Sequence, residues 1–326
     1  MSTSPERAAP RRARTADRVA RAAAALGFGG ALLAAAALRD PTPRFLERRS
    51  HLRTAVEGPV VLLDGHLVQA VRLTAASGLE LDLLLKRPAG RDDTGRGVDD
   101  DGKHPLVLLL GGHNTGREAV RLIPETRGAI VAALSYPYRG EHRVKGLQVV
   151  RHVPAIRNAV LDTPPAVMLA LDYLLARADV DPRRAEGVGV SLGAPFMVIA
   201  GALDPRLTRV WAIHGSGGSY GPLEANLRRR LPSAPARATV AGLASLLISG
   251  PRLAPERWAG RIAPRPFVML NARDDEQMPR ALVDRLYASA REPKAMIWVP
   301  GGHVRARPEV VRPLIDTVLA RVLATP

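Results

Sequence analysis

The chain has 326 residues, 46% of them hydrophobic, a formal net charge of +16 and no cysteine. That length suits one large core, and the lack of cysteine excludes disulfides, thiolate metal sites and a cysteine nucleophile. Aromatic residues are only 4% and no basic run is interleaved with them, so the stacking platforms of nucleic-acid binders are missing and no nucleic-acid partner is expected. Of the 47 basic residues only Lys86, Lys103, Lys145 and Lys294 are lysines, a bias of the whole chain that reads as a solvated arginine-rich surface.

Residues 1–54 carry 11 arginines against four acids and read as a basic N-terminal extension. Within it, residues 22–38 run 17 positions without a charge, nine of them Ala and three Gly. A basic leader followed by such a run predicts a signal peptide or a membrane anchor at the short end of the spanning range. The protein is therefore expected to be exported (periplasmic or secreted) or anchored, with membrane association through residues 22–38; an alanine-rich soluble leader on a cytoplasmic protein is the alternative. Residues 55–326 are expected to form one main domain.

Two strands at 66–74 and 79–86 are predicted to pair as an antiparallel hairpin. A Gly/Asp-rich stretch at 92–104 reads as an exposed loop, with too few spaced acids and no terminal glutamate for a calcium site. Then follow a strand at 105–110, a short helix at 116–122, a strand at 128–134, a helix at 164–177 and a strand at 185–190. Strands at 209–213, 266–271 and 295–299 complete the pattern. The alternation predicts an α/β fold with a mostly parallel central sheet, helices on both faces and right-handed crossovers. Its site is expected at the carboxyl ends of the strands. Residues 219–260 hold two further helical stretches, 224–231 and 236–248, and read as a small helical cap insertion or as an enlarged crossover.

Gly189-Val190-Ser191-Leu192-Gly193 sits where the strand at 185–190 gives way to a helix-prone stretch. This is a G-x-S-x-G pattern, in which a sharp turn lifts a serine hydroxyl into a cleft and the glycines avoid collisions that side chains would cause. The strand at 266–271 ends in Ala272-Arg273-Asp274-Asp275, and the strand at 295–299 ends in Pro300-Gly301-Gly302-His303. A serine, a carboxylate and a histidine thus stand at three strand ends in that order along the chain. Here the chain resembles the α/β-hydrolase family, in particular its dienelactone-hydrolase and acetyl-xylan-esterase-like members, which carry a similar Ile262-Ala263-Pro264-Arg265-Pro266 lead-in and Gly-Gly-His ending.

The resemblance implies an α/β-hydrolase fold over roughly residues 67–323 and a catalytic set of Ser191, Asp275 and His303. Asp274 competes with Asp275, and the family's spacing to Pro279 selects Asp275. His113 and His214 compete with His303, but neither follows the acid in sequence. In this reading His303 takes the proton of Ser191 during attack on a carbonyl, while Asp275 orients the imidazole. The backbone N–H of Leu192 is expected to donate to the oxyanion. The second donor is expected from the loop Gly111-Gly112-His113-Asn114, with His113 ahead of Asn114. The family commonly has His-Gly-Gly or His-Gly-x at that loop, and this chain departs from it.

Tyr136 and His214 are candidate substrate contacts, with simple loop packing as the alternative for Tyr136 or Tyr138. In the cap, Leu243, Leu246 and Leu247 suit a lipophilic acyl pocket, and Arg228-Arg229-Arg230 suit an anionic group or water. The eight histidines lack ligand spacing, so neither a metal nor another cofactor is expected. Together these features predict a serine hydrolase acting on a small-molecule carboxylic ester through an acyl-enzyme. A peptidase or acyltransferase of the same fold is the enzymatic alternative, and a non-catalytic α/β-hydrolase-like binding protein the alternative of another class. The sequence sets no oligomeric state.

Overall fold

The structure is a computed structural model that describes residues 39–89, 102–112, 115–140, 149–228 and 230–324. The chain divides into Met1–Asp40 and Pro41–Pro326. Of the first unit only Arg39 and Asp40 are described, and everything below concerns the second. The apolar run 22–38 and most of the Gly/Asp-rich segment 92–104 lie outside the described residues. Among the described residues no helix is long and apolar enough to cross a membrane.

The folded unit begins earlier than the charge bias of residues 1–54 implies. Helix α1 (Thr42–Arg49) and strand β1 (Leu52–Leu63) belong to it. Phe45 of α1 is fully buried, with its ring centroid 6.0 Å from that of Trp258. Arg48 forks onto Asp162 at 3.0 and 2.8 Å, a bidentate geometry that fixes orientation as well as charge. The arginines that read as part of a basic N-terminal extension are, at this point, stitching a helix to the domain.

A nine-stranded sheet runs in the order β1-β2-β3-β5-β4-β6-β7-β8-β9. Its strands are β1, β2 (His66–Ala75), β3 (Glu80–Pro88), β4 (His104–Leu110), β5 (Ile130–Leu134), β6 (Val180–Val190), β7 (Arg209–Ile213), β8 (Phe267–Ala272) and β9 (Lys294–Val299). The pairs from β1 through β3 to β5 are antiparallel, and β5-β4-β6-β7-β8-β9 are parallel. Strand β1 is the strand that sequence patterning missed, as it missed helix α1 and the C-terminal helix Pro308–Ala324. Gly58 and Pro59 interrupt β1 where its register against β2 shifts, an irregularity that an edge strand tolerates.

The parallel strands are apolar on both faces, as burial under helices on each side requires. In β4, Leu106, Leu108 and Leu110 enter one core while Val107 and Leu109 enter the other. The first core is closed by helices α2 (Val149–Leu174), α3 (Gly193–Leu203) and α6 (Arg280–Ser289). The second is closed by a 3₁₀ helix at Gly116–Leu122 and by the C-terminal helix α7 (Pro308–Ala324). Helix α2 starts fifteen residues before the predicted 164, because Pro154, Pro164 and Pro165 lie inside it and Pro164 is not its first turn. The insertion folds as α4 (Tyr220–Leu227), α5 (Ala234–Leu247) and three 3₁₀ turns.

Candidate active site

The chain leaves β4 toward β5 on one side and returns to β6 on the other. Open α/β sheets bind ligands at such a switch point, outside the carboxyl ends of the strands. The loop Gly111-Gly112 follows β4, and Ser191 follows β6. A Cβ placed on Gly112 would lie 3.9 Å from the Ser191 Cβ, so the two strand ends meet face to face.

Ser191 has φ +54°, a left-handed conformation rare for a residue with a side chain. Its N–H donates to the Ile213 carbonyl at 2.8 Å, and its carbonyl accepts from Ala194 at 3.0 Å, which holds the turn between β6 and α3. The flanking glycines permit this. A Cβ on Gly189 would fall 2.6 Å from the Gly193 carbonyl, and one on Gly193 would run into the Leu110 carbonyl.

The Ser191 hydroxyl lies 2.8 Å from His303 Nε2. His303 Nδ1 lies 2.8 and 3.0 Å from the two oxygens of Asp275. It is the Asp275 carboxylate, not that of the exposed Asp274, that faces the imidazole. Asp275 Oδ1 also accepts the backbone N–H groups of Gln277 and Met278 at 2.9 and 3.0 Å. Burial pushes this carboxyl up, but hydrogen bonds from His214 and His303 and the backbone donors outweigh it and hold the group well below the usual carboxylate range. An ionised carboxylate only accepts, so we assign the proton of His303 to Nδ1. Nε2 then presents its lone pair to the serine hydroxyl. Glu276 accepts the backbone N–H of His303 at 3.1 Å and pins the histidine loop.

His214 stands elsewhere than a substrate contact would. It is 2% exposed, its Nδ1 donates to Asp275 Oδ2 at 2.7 Å, and its ring meets His303 edge-on with centroids 5.2 Å apart. Tyr136 is likewise a support. Its hydroxyl donates to the Gly111 carbonyl at 2.6 Å and its ring packs edge-on against Phe196. Burial pushes the phenol far above its ordinary value, so it remains a donor. Neither residue lines the cavity beside Ser191.

Leu192 occupies the N-cap position of α3, where N–H groups have no partner within the helix. His113 and Asn114, the expected sources of the second oxyanion donor, lie outside the described residues. His214, Asp275 and His303 bring their donor atoms within 4.8 Å of one another, a spacing that could hold a cation. Both Nδ1 atoms point at the carboxylate, however, and a bound cation would have to displace those protons.

A cavity of about 360 Å³ opens at the serine, with Gly111, Gly112, Gln277, Ser191 and His303 at its polar end. No described residue of the 219–260 insertion lines it. Leu243, Leu246 and Leu247, which read as an acyl pocket, instead lie exposed on the outside of α5. A helix's apolar stripe shows in sequence, but the neighbour it faces does not.

Sheet order, elbow and switch-point site together define the α/β-hydrolase fold. Acetyl xylan esterase 1 from Thermoanaerobacterium sp. JW/SL YS485 superposes with a TM-score of 0.61 at 15% identity, covering 87% of this chain and 93% of that one. The acetyl xylan esterase from Paenibacillus sp. R4 gives 0.60 at 17% identity, covering 86% and 90%. A cold-adapted esterase from an Arctic intertidal metagenomic library gives 0.53 at 16%, covering 82% and 98%. No family model matches the chain. Among curated proteins, the uncharacterized protein YfhR of Salmonella typhi is 28% identical over 182 residues, 52% of this chain and 54% of that protein. YfhR of Escherichia coli O157:H7 is 25% identical over 173 residues, 52% of each. The chain spans about half the length of the curated relatives it matches.

Proposed function

We propose that this protein is a serine hydrolase of carboxylic esters working through an acyl-enzyme. The observation that carries the reading is the hydrogen-bonded line from Ser191 Oγ through His303 to Asp275, with the serine on a strained turn beside an open cavity. The esterases among its structural neighbours favour the same chemistry.

In this reaction Ser191 Oγ attacks the ester carbonyl carbon as its proton passes to His303 Nε2. Asp275 stabilises the imidazolium, and the Leu192 N–H, with a donor from the loop after β4, meets the oxyanion. The C–O bond to the alcohol then breaks, and His303 returns the proton to the departing oxygen. Water repeats the sequence on acyl-Ser191: His303 takes its proton, the acyl–Oγ bond breaks, and the carboxylic acid leaves with Ser191 reprotonated. The proposal assigns the apolar run 22–38 to export or anchoring, which mass analysis of the mature N-terminus from a membrane and a soluble fraction would distinguish.

The test is labelling of the purified protein by a fluorophosphonate, together with hydrolysis of p-nitrophenyl esters. Wild type should label and hydrolyse, whereas Ser191→Ala should do neither and His303→Ala should lose turnover by about a thousandfold or more. A folded wild type that does not label would refute the reading.

A further inference from the structure

We infer that the cavity beside Ser191 is an acyl channel for a medium-length, unbranched aliphatic acyl group, and that the C-terminal helix rather than the cap sets the length it accepts. The inference rests on the ester-hydrolase reading and extends it to the substrate.

The channel's position comes first. Its polar end is the serine and histidine, and its body passes between the 3₁₀ helix Gly116–Leu122 and helix α7, against the ends of the sheet strands. Leu109 and Ile213 form the sheet wall, Ala119 and Leu122 one side, Val311 and Ile315 the other. An acyl carbonyl held over Ser191 would therefore send its chain into this space.

The wall chemistry selects the class. Among the described lining residues none is aromatic and none is acidic, and the one formal cation, Arg305, is exposed. Along the body the Thr115 hydroxyl is committed to the Gly112 carbonyl at 3.1 Å and Arg305 is exposed, so a polyhydroxylated acyl group would lose its hydration there with little compensation. A saturated chain loses nothing and gains burial.

Size then limits the chain. At about 30 Å³ per water-sized group, a 360 Å³ cavity has room for about a dozen such groups. An acetyl group would leave most of it empty, and an acyl chain of about six to ten carbons would fill it once the ester head is included. The exposed Leu243, Leu246 and Leu247 take no part, since they lie outside the lining.

The experiment measures kcat/KM for p-nitrophenyl esters from acetate to laurate, with fluorophosphonate labelling of every variant as the check that its site is assembled. Wild type should gain roughly fourfold per methylene until the channel fills, then level or fall. Val311→Phe and Leu122→Phe, both at half-buried positions, should lower the octanoate-to-acetate ratio by about tenfold, whereas Ile315→Ala should move the optimum to longer chains. Leu243→Ser in the cap should leave the profile unchanged. A profile that peaks at acetate, or one that responds to Leu243→Ser and not to Val311→Phe, overturns the channel while leaving the hydrolase reading intact. A wild type that neither labels nor hydrolyses any ester removes that reading and the channel with it.

Discussion

His214 donates from Nδ1 to the carboxylate of Asp275 at 2.7 Å, so the acid of the site is shared between two imidazoles rather than committed to His303 alone. His214 has φ +49°, a conformation that asparagine tolerates better than most residues. An asparagine amide can stand where Nδ1 does and keep a donor, so His214→Asn is the control, and His214→Phe, which keeps a ring beside His303, removes the bond. The expected result is a loss in kcat of about a hundredfold at little cost in KM, as Asp275 swings and His303 loses alignment. Steady-state assays beside thermal melts would read the effect, and a variant that loses stability while keeping kcat would reduce His214 to packing.

Arg265, the arginine of the Ile-Ala-Pro-Arg-Pro lead-in, does its work far from the carbonyl chemistry. Its guanidinium donates to the carbonyls of Gly201 at 2.6 Å, Asp204 at 2.9 Å and Leu207 at 2.8 Å. These lie at and just beyond the C-terminal end of α3, the helix whose other end follows Ser191, where a cation also complements the helix dipole. Arg265→Ala should cost about 2–4 kcal/mol of stability, since hydrogen bonds to a charged donor are lost and carbonyls are left unpaired. Lysine, with no planar fork, should restore only part. Chemical denaturation of the three proteins would show the order.

The elbow admits no side chain at Gly189 or Gly193. Gly193→Ala should be the more damaging of the two, because its Cβ would overlap the Leu110 carbonyl more deeply than a Cβ at Gly189 overlaps the Gly193 carbonyl. Either alanine should destabilise by about 1–3 kcal/mol or more, and fluorophosphonate labelling should fall in step with the melting temperature.

Acid should unfold this protein partly through Asp275. Its folded-state value lies below the unfolded one, so its contribution is fully present above an unfolded value of about 3.9. That contribution is lost as pH falls through the folded value. The stability advantage of wild type over Asp275→Asn should accordingly hold above about pH 5 and narrow below pH 4. An advantage that stayed constant down to pH 2 would mean that the residue stabilises by packing alone.

Much of the fold and of the site was legible because it is written locally. Ser191, Asp275 and His303 each stand at a strand end marked by Gly or by paired acids, and their order along the chain follows from the sheet. What was not legible depends on neighbours distant in sequence. Strand β1 hides behind Gly58-Pro59, and the start of α2 behind Pro164, because proline marks a boundary only when the surrounding packing agrees. Tyr136 and His214 read as substrate contacts since a polar side chain on a strand-end loop points toward the cleft by default. Their partners, the Gly111 carbonyl and the Asp275 carboxylate, are 25 and 61 residues away. The same limit moved the apolar lining from Leu243, Leu246 and Leu247 to residues of the C-terminal helix.

The central sheet also acts as a partition. The helix behind Ser191 packs into one core, while the cavity is cut from the other. Residues that line the cavity, such as Val311, therefore share no packing layer with those that hold the helix after Ser191, such as Arg265. Energetic effects of changes in the two layers should combine by simple addition, as independent sites do. A lineage of such proteins could then reshape the cavity without eroding the turn that presents Ser191.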